Sequence, residues 1–518
     1  EKERRSFLAK LYRIHGQEVD LKNQEATQKI VAELETAAYV VAEVRPGTRK
    51  RSPAAPFTTS TMQQEASRRL GFTAKRTMAV AQQLYQGLDV GEGGEVGLIT
   101  YMRTDSVNVA EVAQREARAY IGEKFGPEYL PPSPPRYKTK AKVAQEAHEA
   151  IRPTSVRREP ASIKKYLTRD QYRLYELIWK RFVASQMAPA IYDTMSVDIA
   201  ADHRWQVTGD LIAVPDHQLS AISHQPEYLF RASGSRVRFP GFLVVYEEAK
   251  DEDAGPEESE GAILPPLSKG EVLDLLRLLP QQHFTQPPPR YTEATLVRTL
   301  EEYGIGRPST YAPILTTIQN RGYVERVDRH LTPTEIAFTV NDLLVKYFPD
   351  IVDVGFTARM EEDLDLIASG KRQWVPVLRD FYGPFAQAVQ YAEQHIENLN
   401  LGEQLAGDIC EKCGHPMIVK WGRYGQFVAC SNYPACRNTR PLQVRLGVAC
   451  PQCGGDLVEK RTRRRRIFYG CSNYPQCTFA SWQRPLPQPC PACGGLLVEA
   501  GKEWAKCITC EEQVALEK

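Results

Sequence analysis

The sequence predicts a multidomain chain with a mainly α-helical body, smaller β-rich parts and a winged-helix-like region, followed by three C-terminal zinc ribbons. Three observations lead there. The 518 residues exceed what one hydrophobic core supports. Helix-period apolar stretches dominate the first 400 residues, with strand-like alternation confined to a few segments. All twelve cysteines lie between residues 410 and 510. The composition, 42% hydrophobic and 25% charged, is that of a globular chain. No apolar run approaches the roughly 18–20 residues needed to span a bilayer, and no secretory signal opens the chain, so no membrane partner is expected.

The division expected from these patterns is a β-rich domain from 1–57 and 188–264, a helical domain over 58–187, and a helical, winged-helix-like domain over 265–400. Thr58-Thr59-Ser60 offers hydroxyls to cap a helix from about 61 to 70, and a second amphipathic helix follows Gly71 from Ala74 to Gln86. Residues 87–97 hold five glycines and three acidic residues, a loop leading into a short strand. That strand carries Gly97-Leu98-Ile99-Thr100-Tyr101-Met102-Arg103-Thr104-Asp105-Ser106. A tyrosine hydroxyl can serve as a nucleophile, and a nearby guanidinium can hold a phosphate and stabilise charge developing on it. The pattern therefore points to attack of Tyr101 on a phosphodiester, assisted by Arg103. By residue chemistry alone, most tyrosines that follow a Leu-Ile pair are half-buried strand residues.

A helix is expected over Val109 to Phe125, and a Pro-rich loop at Pro131–Pro135. Glu146-Ala147-His148-Glu149-Ala150-Ile151-Arg152-Pro153 lacks the H-E-x-x-H spacing of a zinc protease. Residues 166–186 suit a helix, whereas Thr194–Ile199, Trp205–Leu211 and Phe242–Val245 suit strands. Residues 247–260 read as an acidic, solvated loop. Beyond Pro287-Pro288-Pro289-Arg290-Tyr291-Thr292-Glu293-Ala294, a helix leads into Gly304-Ile305-Gly306-Arg307-Pro308-Ser309-Thr310-Tyr311. That segment can present backbone N–H groups, hydroxyls and a guanidinium to a phosphate. A second helix ends near Arg321, and a closing helix is expected over 376–398. No Gly-rich nucleotide loop of the Walker type occurs.

The cysteines form three tetrads: Cys410, Cys413, Cys430 and Cys436; Cys450, Cys453, Cys471 and Cys477; Cys490, Cys493, Cys507 and Cys510. C-x2-C pairs at this separation suit tetrahedral zinc sites, so about three zinc ions per chain are expected. Gly414, Gly454 and Gly494 follow the first pair of each tetrad, as a turn of positive φ requires. The expected modules are 410–436, 450–477 and 490–510. Charge is uneven: from residue 401 onward lie 16 Lys and Arg against 10 Asp and Glu, leaving 50 against 54 before it. The first two modules interleave arginines, including Arg423, Arg463, Arg464 and Arg465, with aromatics, the pattern of single-stranded nucleic-acid binding.

The Tyr101 segment, the Ala-His-Glu-Ala-Ile-Arg-Pro run at 147–153, the Pro-Pro-x-Arg-Tyr-Thr-Glu-Ala and Gly-Ile-Gly-Arg-Pro-Ser-Thr-Tyr runs and the cysteine tetrads together resemble bacterial DNA topoisomerase I, a type IA enzyme. The resemblance implies a toroidal body with a β-rich arch and the cleavage of one DNA strand through a 5′-phosphotyrosine. Strand passage and religation would then relax negative supercoils without a nucleotide. It implies catalytic roles for Tyr101, Arg103 and His148, the last as a proton carrier at the scissile phosphate. DNA contacts are implied for Arg103, Arg152, Arg307, Ser309, Thr310 and Arg321. In the family, Mg²⁺ is held by an acidic cluster of an N-terminal Toprim domain. No Asp-x-Asp-x-Glu run after a strand occurs in this sequence, so these residues are expected to begin after that domain and to bind single-stranded DNA without relaxing supercoils. A monomer in the bacterial cytoplasm, associated with the nucleoid and contacting RNA polymerase through the zinc tail, completes the expectation. The competing reading is a zinc-ribbon single-strand binder in which Tyr101 is structural. A tyrosine recombinase is disfavoured because its Arg/His pattern is absent.

Overall fold

The computed structural model describes residues 5–91, 94–138, 148–203, 205–208, 211–213, 227–249, 264–396, 405–422, 425–441, 445–461, 467–501 and 504–515. The chain divides into two compact units, residues 1–391 and 392–518.

In the first unit, antiparallel strands, three of them long, form a sheet in the order Val272–Leu273, Ala38–Arg51, Ala190–Asp202, Tyr228–Phe239, Lys10–Ile14 and Gln17–Glu18. Its central ladders run from Ala38 opposite Asp202 to Arg51 opposite Ala190, and from Ala201 opposite Tyr228 to Ile191 opposite Phe239. The Gln24–Glu35 helix covers one end, burying Leu34 with Tyr39, Val41, Val197, Ile199, Tyr228 and Phe230. The strand expected over 194–199 is thus twice as long as the local pattern suggested. Phe242–Val245, expected as a strand, lies on a 3₁₀ turn, Gly241–Val244, that buries Phe242 in the neighbouring helical core. Apolar content alone could not separate the two outcomes. The acidic 247–260 loop falls mostly outside the described residues.

The main helical core gathers Phe57, Met62, Phe72, Leu84, Leu98, Ile99, Met102, Ile121, Tyr175 and Phe182 around the Thr59–Glu65, Ala74–Gln86, Glu111–Lys124 and Arg169–Ser185 helices. Thr58 caps the first of these with a reciprocal pair: its Oγ1 accepts from Thr61 N at 3.3 Å, and Thr61 Oγ1 accepts from Thr58 N at 2.9 Å. The helix expected over 61–70 begins at Thr59 and passes at Ala66 into a π turn ending at Leu70.

The helices Glu293–Glu302 and Tyr311–Asn320 lead into a hairpin of Val324–Val327 against His330–Pro333. Val297, Tyr311, Ala312, Leu315 and Leu331 bury together with Ala74, so this helix–turn–helix and hairpin packs on the first turn of the Ala74–Gln86 helix. The buried Glu293 carboxylate strengthens that contact by accepting from Ala74 N at 2.7 Å. The Glu335–Tyr347, Val354–Ala368 and Trp374–His395 helices follow.

Among the described residues of the second unit lie three four-stranded antiparallel sheets. They span Leu405 to Pro441, Arg445 to Ser481 and Pro485 to Ala515. Each sheet extends beyond its cysteines at both ends, because strands outside the metal ligands complete the ladder. Among the described residues no helix is long and apolar enough to cross a membrane.

Candidate functional site

Tyr101 sits on a backbone segment pinned from three directions. Leu98 N donates to Leu84 O at 2.8 Å, at the end of the Ala74–Gln86 helix. Gly97 permits that approach, since a Cβ there would lie 2.9 Å from Tyr85 O. On the second side, Ile99 pairs with Pro153. Thr100 N donates to Arg152 O at 2.9 Å, and Thr100 Oγ1 donates to Ala150 O at 2.6 Å. On the third, the Thr59 hydroxyl donates to Met102 O at 2.7 Å and accepts from Thr104 N at 2.8 Å, while Thr59 N donates to Thr104 O at 2.8 Å.

The residues that alternate along this segment divide accordingly. Leu98, Ile99, Met102, Thr104 and Ser106 are buried, whereas Tyr101 is 43% exposed and Arg103 is exposed. Neither the Tyr101 hydroxyl nor the Arg103 guanidinium has a hydrogen bond or ion pair among the described residues. The Tyr101 ring meets the half-exposed Tyr85 ring edge-on at 5.3 Å and 66°. Tyr85 had no motif to mark it; its position at the end of an amphipathic helix is its only sequence signal.

His148 is exposed and opens the segment that pairs with the tyrosine strand. Ala150 N donates to Asn108 O at 2.8 Å, and Ile151 pairs with Phe57. Arg152 is turned inward. Its side chain is 12% exposed, and its guanidinium donates to Glu149 Oε2 at 2.6 and 3.1 Å and to Pro153 O at 3.0 Å.

The Gly-Arg-Pro-Ser-Thr segment divides similarly. Arg307 donates to Asp365 Oδ2 at 2.6 Å and to Gly306 O at 2.8 Å, and lies 3.8 Å from Glu361 Oε2. Thr310 Oγ1 accepts from Arg307 N at 2.7 Å. Ser309 stays exposed, as does Arg321 at the end of the next helix, with no side-chain partner among the described residues. The two motifs are electrically linked. Burial pushes the Tyr311 hydroxyl well above its ordinary range, and the negative charges of Glu301, Asp105 and Glu361 add to the shift against the opposing Arg307. A direct bridge joins the Thr59–Glu65 and Glu293–Glu302 helices: Ser60 Oγ donates to Glu301 Oε1 at 2.6 Å.

Among the described residues, the Asp-x-Asp pair nearest the Gly-Arg-Pro-Ser-Thr segment does not fit a magnesium site. Asp363 and Asp365, the Asp-x-Asp pair of the helical body, are neutralised by Arg372 and Arg307 respectively.

The cysteines do fit zinc. In each tetrad all four Sγ atoms lie within 4.8 Å of one another. Cys410–Cys436, Cys450–Cys477 and Cys490–Cys510 stand 3.7 Å apart; Cys413–Cys430, Cys453–Cys471 and Cys493–Cys507 stand 3.2, 3.3 and 3.5 Å apart. These separations exceed the roughly 2.05 Å of a disulfide and approach the roughly 3.8 Å edge of a tetrahedron with Zn–S bonds of about 2.3 Å. Gly414, Gly454 and Gly494 adopt φ of 71°, 73° and 68°. Each donates its N–H to the first cysteine's carbonyl at 2.8–2.9 Å, closing the knuckle. Burial raises the Cys410 thiol, but hydrogen bonds from Asn438 and the Lys412 and Cys413 backbone bring it down to about 6. Burial lifts Cys430 in the same tetrad to about 12. Four adjacent thiolates need a cation, and each tetrad is built to hold one.

Tyr433, Tyr474, Trp482 and Trp504 project from the ribbons at 50% exposure or more. Lys460 Nζ lies 5.0 Å over the Tyr474 ring, and Phe468 packs 5.9 Å from Trp482. Arg423, Arg463, Arg464 and Arg465 lie outside the described residues.

The DNA topoisomerase family matches residues 8–379. A second family, the topoisomerase DNA-binding C4 zinc finger, matches residues 407–444 and 447–485. Among solved structures, full-length topoisomerase I from Thermotoga maritima is 34% identical, with a TM-score of 0.59; the match covers 84% of this chain and 67% of that one. The chain belongs to the bacterial type IA DNA topoisomerase I family and carries that family's DNA-binding zinc ribbons.

Proposed function

We propose that this chain supplies the tyrosine half of a type IA strand-cleavage centre. One observation carries the proposal: Tyr101 and Arg103 are presented to solvent, without polar partners among the described residues, from a backbone fixed by three other segments. A rigid presentation of this kind is what in-line attack on a phosphodiester needs. The Tyr101 hydroxyl gives up its proton, and its oxygen forms a bond to phosphorus as the P–O3′ bond breaks. The DNA 3′ oxygen takes a proton and leaves, and the 5′ phosphate remains on the tyrosine. Reversal by the 3′ hydroxyl reseals the strand. One phosphodiester replaces another, so no nucleotide is consumed.

Arg103 holds the phosphate and offsets its developing charge. His148, exposed on the paired segment, carries the proton to or from the leaving oxygen. Ser309 and Arg321 hold the strand beside the centre. Arg152 and Arg307 act from behind, bracing their loops through Glu149 and Asp365. The ribbon aromatics stack on unpaired bases, and the neighbouring cations follow the phosphates.

Magnesium-binding acids come, in this proposal, from a Toprim domain. Relaxation assays on negatively supercoiled plasmid test it. The 518-residue chain alone should leave the plasmid unrelaxed but bind single strands, and the chain with a Toprim domain supplied should relax it with Mg²⁺ and no ATP. Magnesium-dependent relaxation by the chain alone would contradict the divided centre.

A further inference from the structure

We infer that Thr59 is a positioning residue for the tyrosine: its hydroxyl fixes the backbone on both sides of Arg103 and so sets where Tyr101 and Arg103 meet the phosphate. The inference rests on Tyr101 as nucleophile. Thr59 is 0% exposed, so it touches neither solvent nor DNA. Its single hydroxyl nonetheless uses both hydrogen-bonding roles on one short segment. It donates to Met102 O at 2.7 Å, with Thr104 O a further 3.1 Å acceptor, and it accepts from Thr104 N at 2.8 Å. Thr59 N adds a third bond to Thr104 O at 2.8 Å.

The clamped residues, 102 and 104, flank Arg103, and Met102 directly follows Tyr101. Both are buried, so a shift of their backbone would move the two exposed side chains as one body. The clamp has a firm base. Thr58 caps the helix that Thr59 begins, and Ser60 bonds Glu301 on the Glu293–Glu302 helix. Thr59 therefore transmits the position of that helix pair to the nucleophile. Helix formation does not require it, because the cap belongs to Thr58.

The test is cleavage of a single-stranded oligonucleotide by the chain with a Toprim domain supplied, comparing wild type, Thr59→Val and Thr59→Ser. Valine keeps the shape and removes the hydroxyl; serine restores it. A displacement of about 1 Å at a reacting centre can cost about 100-fold in rate. Thr59→Val should slow covalent-complex formation at saturating oligonucleotide by about 10–100-fold. Its Kd for the oligonucleotide should stay within about twofold of wild type, and Thr59→Ser should recover most of the rate. Should the valine chain fail to fold, Thr59→Ala is measured in its place. An unchanged cleavage rate, or a loss that appears only as weaker binding, overturns the inference. So does an equal loss in the serine chain. Tyr101→Phe runs alongside: an adduct persisting there removes the nucleophile assignment itself, a failure distinct from that of the clamp.

Discussion

Thr100 and Arg152 hold each other through two hydrogen bonds of equal length: Thr100 N to Arg152 O, and Arg152 N to Thr100 Oγ1, both 2.9 Å. They join the tyrosine segment to the histidine segment across 52 positions of sequence. Thr100→Val would leave the Arg152 N–H without its acceptor. A loss of about 1–3 kcal/mol in unfolding free energy is expected, measured by thermal or denaturant unfolding, together with slower cleavage.

The two arginines of these segments should behave differently. Arg103 is exposed without a partner among the described residues, so Arg103→Ala should leave unfolding free energy within about 0.5 kcal/mol while impairing cleavage and religation more than oligonucleotide binding. Arg152 is 12% exposed and paired with Glu149. Arg152→Ala should cost about 1–3 kcal/mol, visible in a melting curve before any DNA is added. Equal melting of the two variants would contradict the inward role of Arg152.

Zinc content should follow the tetrads. Elemental analysis of the purified chain is expected to give about three zinc per chain. Cys471→Ser, which removes one buried ligand of the second tetrad, should lower that by about one. A chelator should unfold the ribbons while the melting of residues 1–391 stays put, because no cysteine lies there. Zinc-free protein with intact ribbons would refute the thiolate sites.

Truncation at residue 400 should reduce the salt dependence of single-strand binding. The log–log slope should fall by about 0.7 for each DNA phosphate that the shortened chain no longer neutralises. An unchanged slope would assign the ribbons to a partner other than DNA.

The zinc ribbons were the most legible part of the sequence. Ligand spacing and the three glycines that close the knuckles are local features, and local geometry decides them. The helices of the body were legible for the same reason, from Thr58 as a cap to the 3.6-residue apolar period of Arg169–Ser185. Phe242–Val245 was misread because its destination, a buried place beside Tyr246 and Phe182, is set by tertiary packing. The site was half legible. Tyr101, Arg103 and His148 stand in motifs, but Thr59 and Tyr85 act through contacts that no spacing records. The resemblance implies DNA contacts for Arg152 and Arg307, and Gly306-Arg307-Pro308 also suits a phosphate-facing loop. Their carboxylate partners, Glu149 and Asp365, become visible only in three dimensions.

The central claim is that Tyr101 is the nucleophile, and its most direct measurement is covalent capture. The chain, with a Toprim domain supplied, is incubated with a single-stranded oligonucleotide, denatured, digested and examined by mass spectrometry. A 5′-phosphonucleotide on the peptide that contains Tyr101, absent from Tyr101→Phe, is the predicted result. An adduct on another residue, or one that survives Tyr101→Phe, would contradict it.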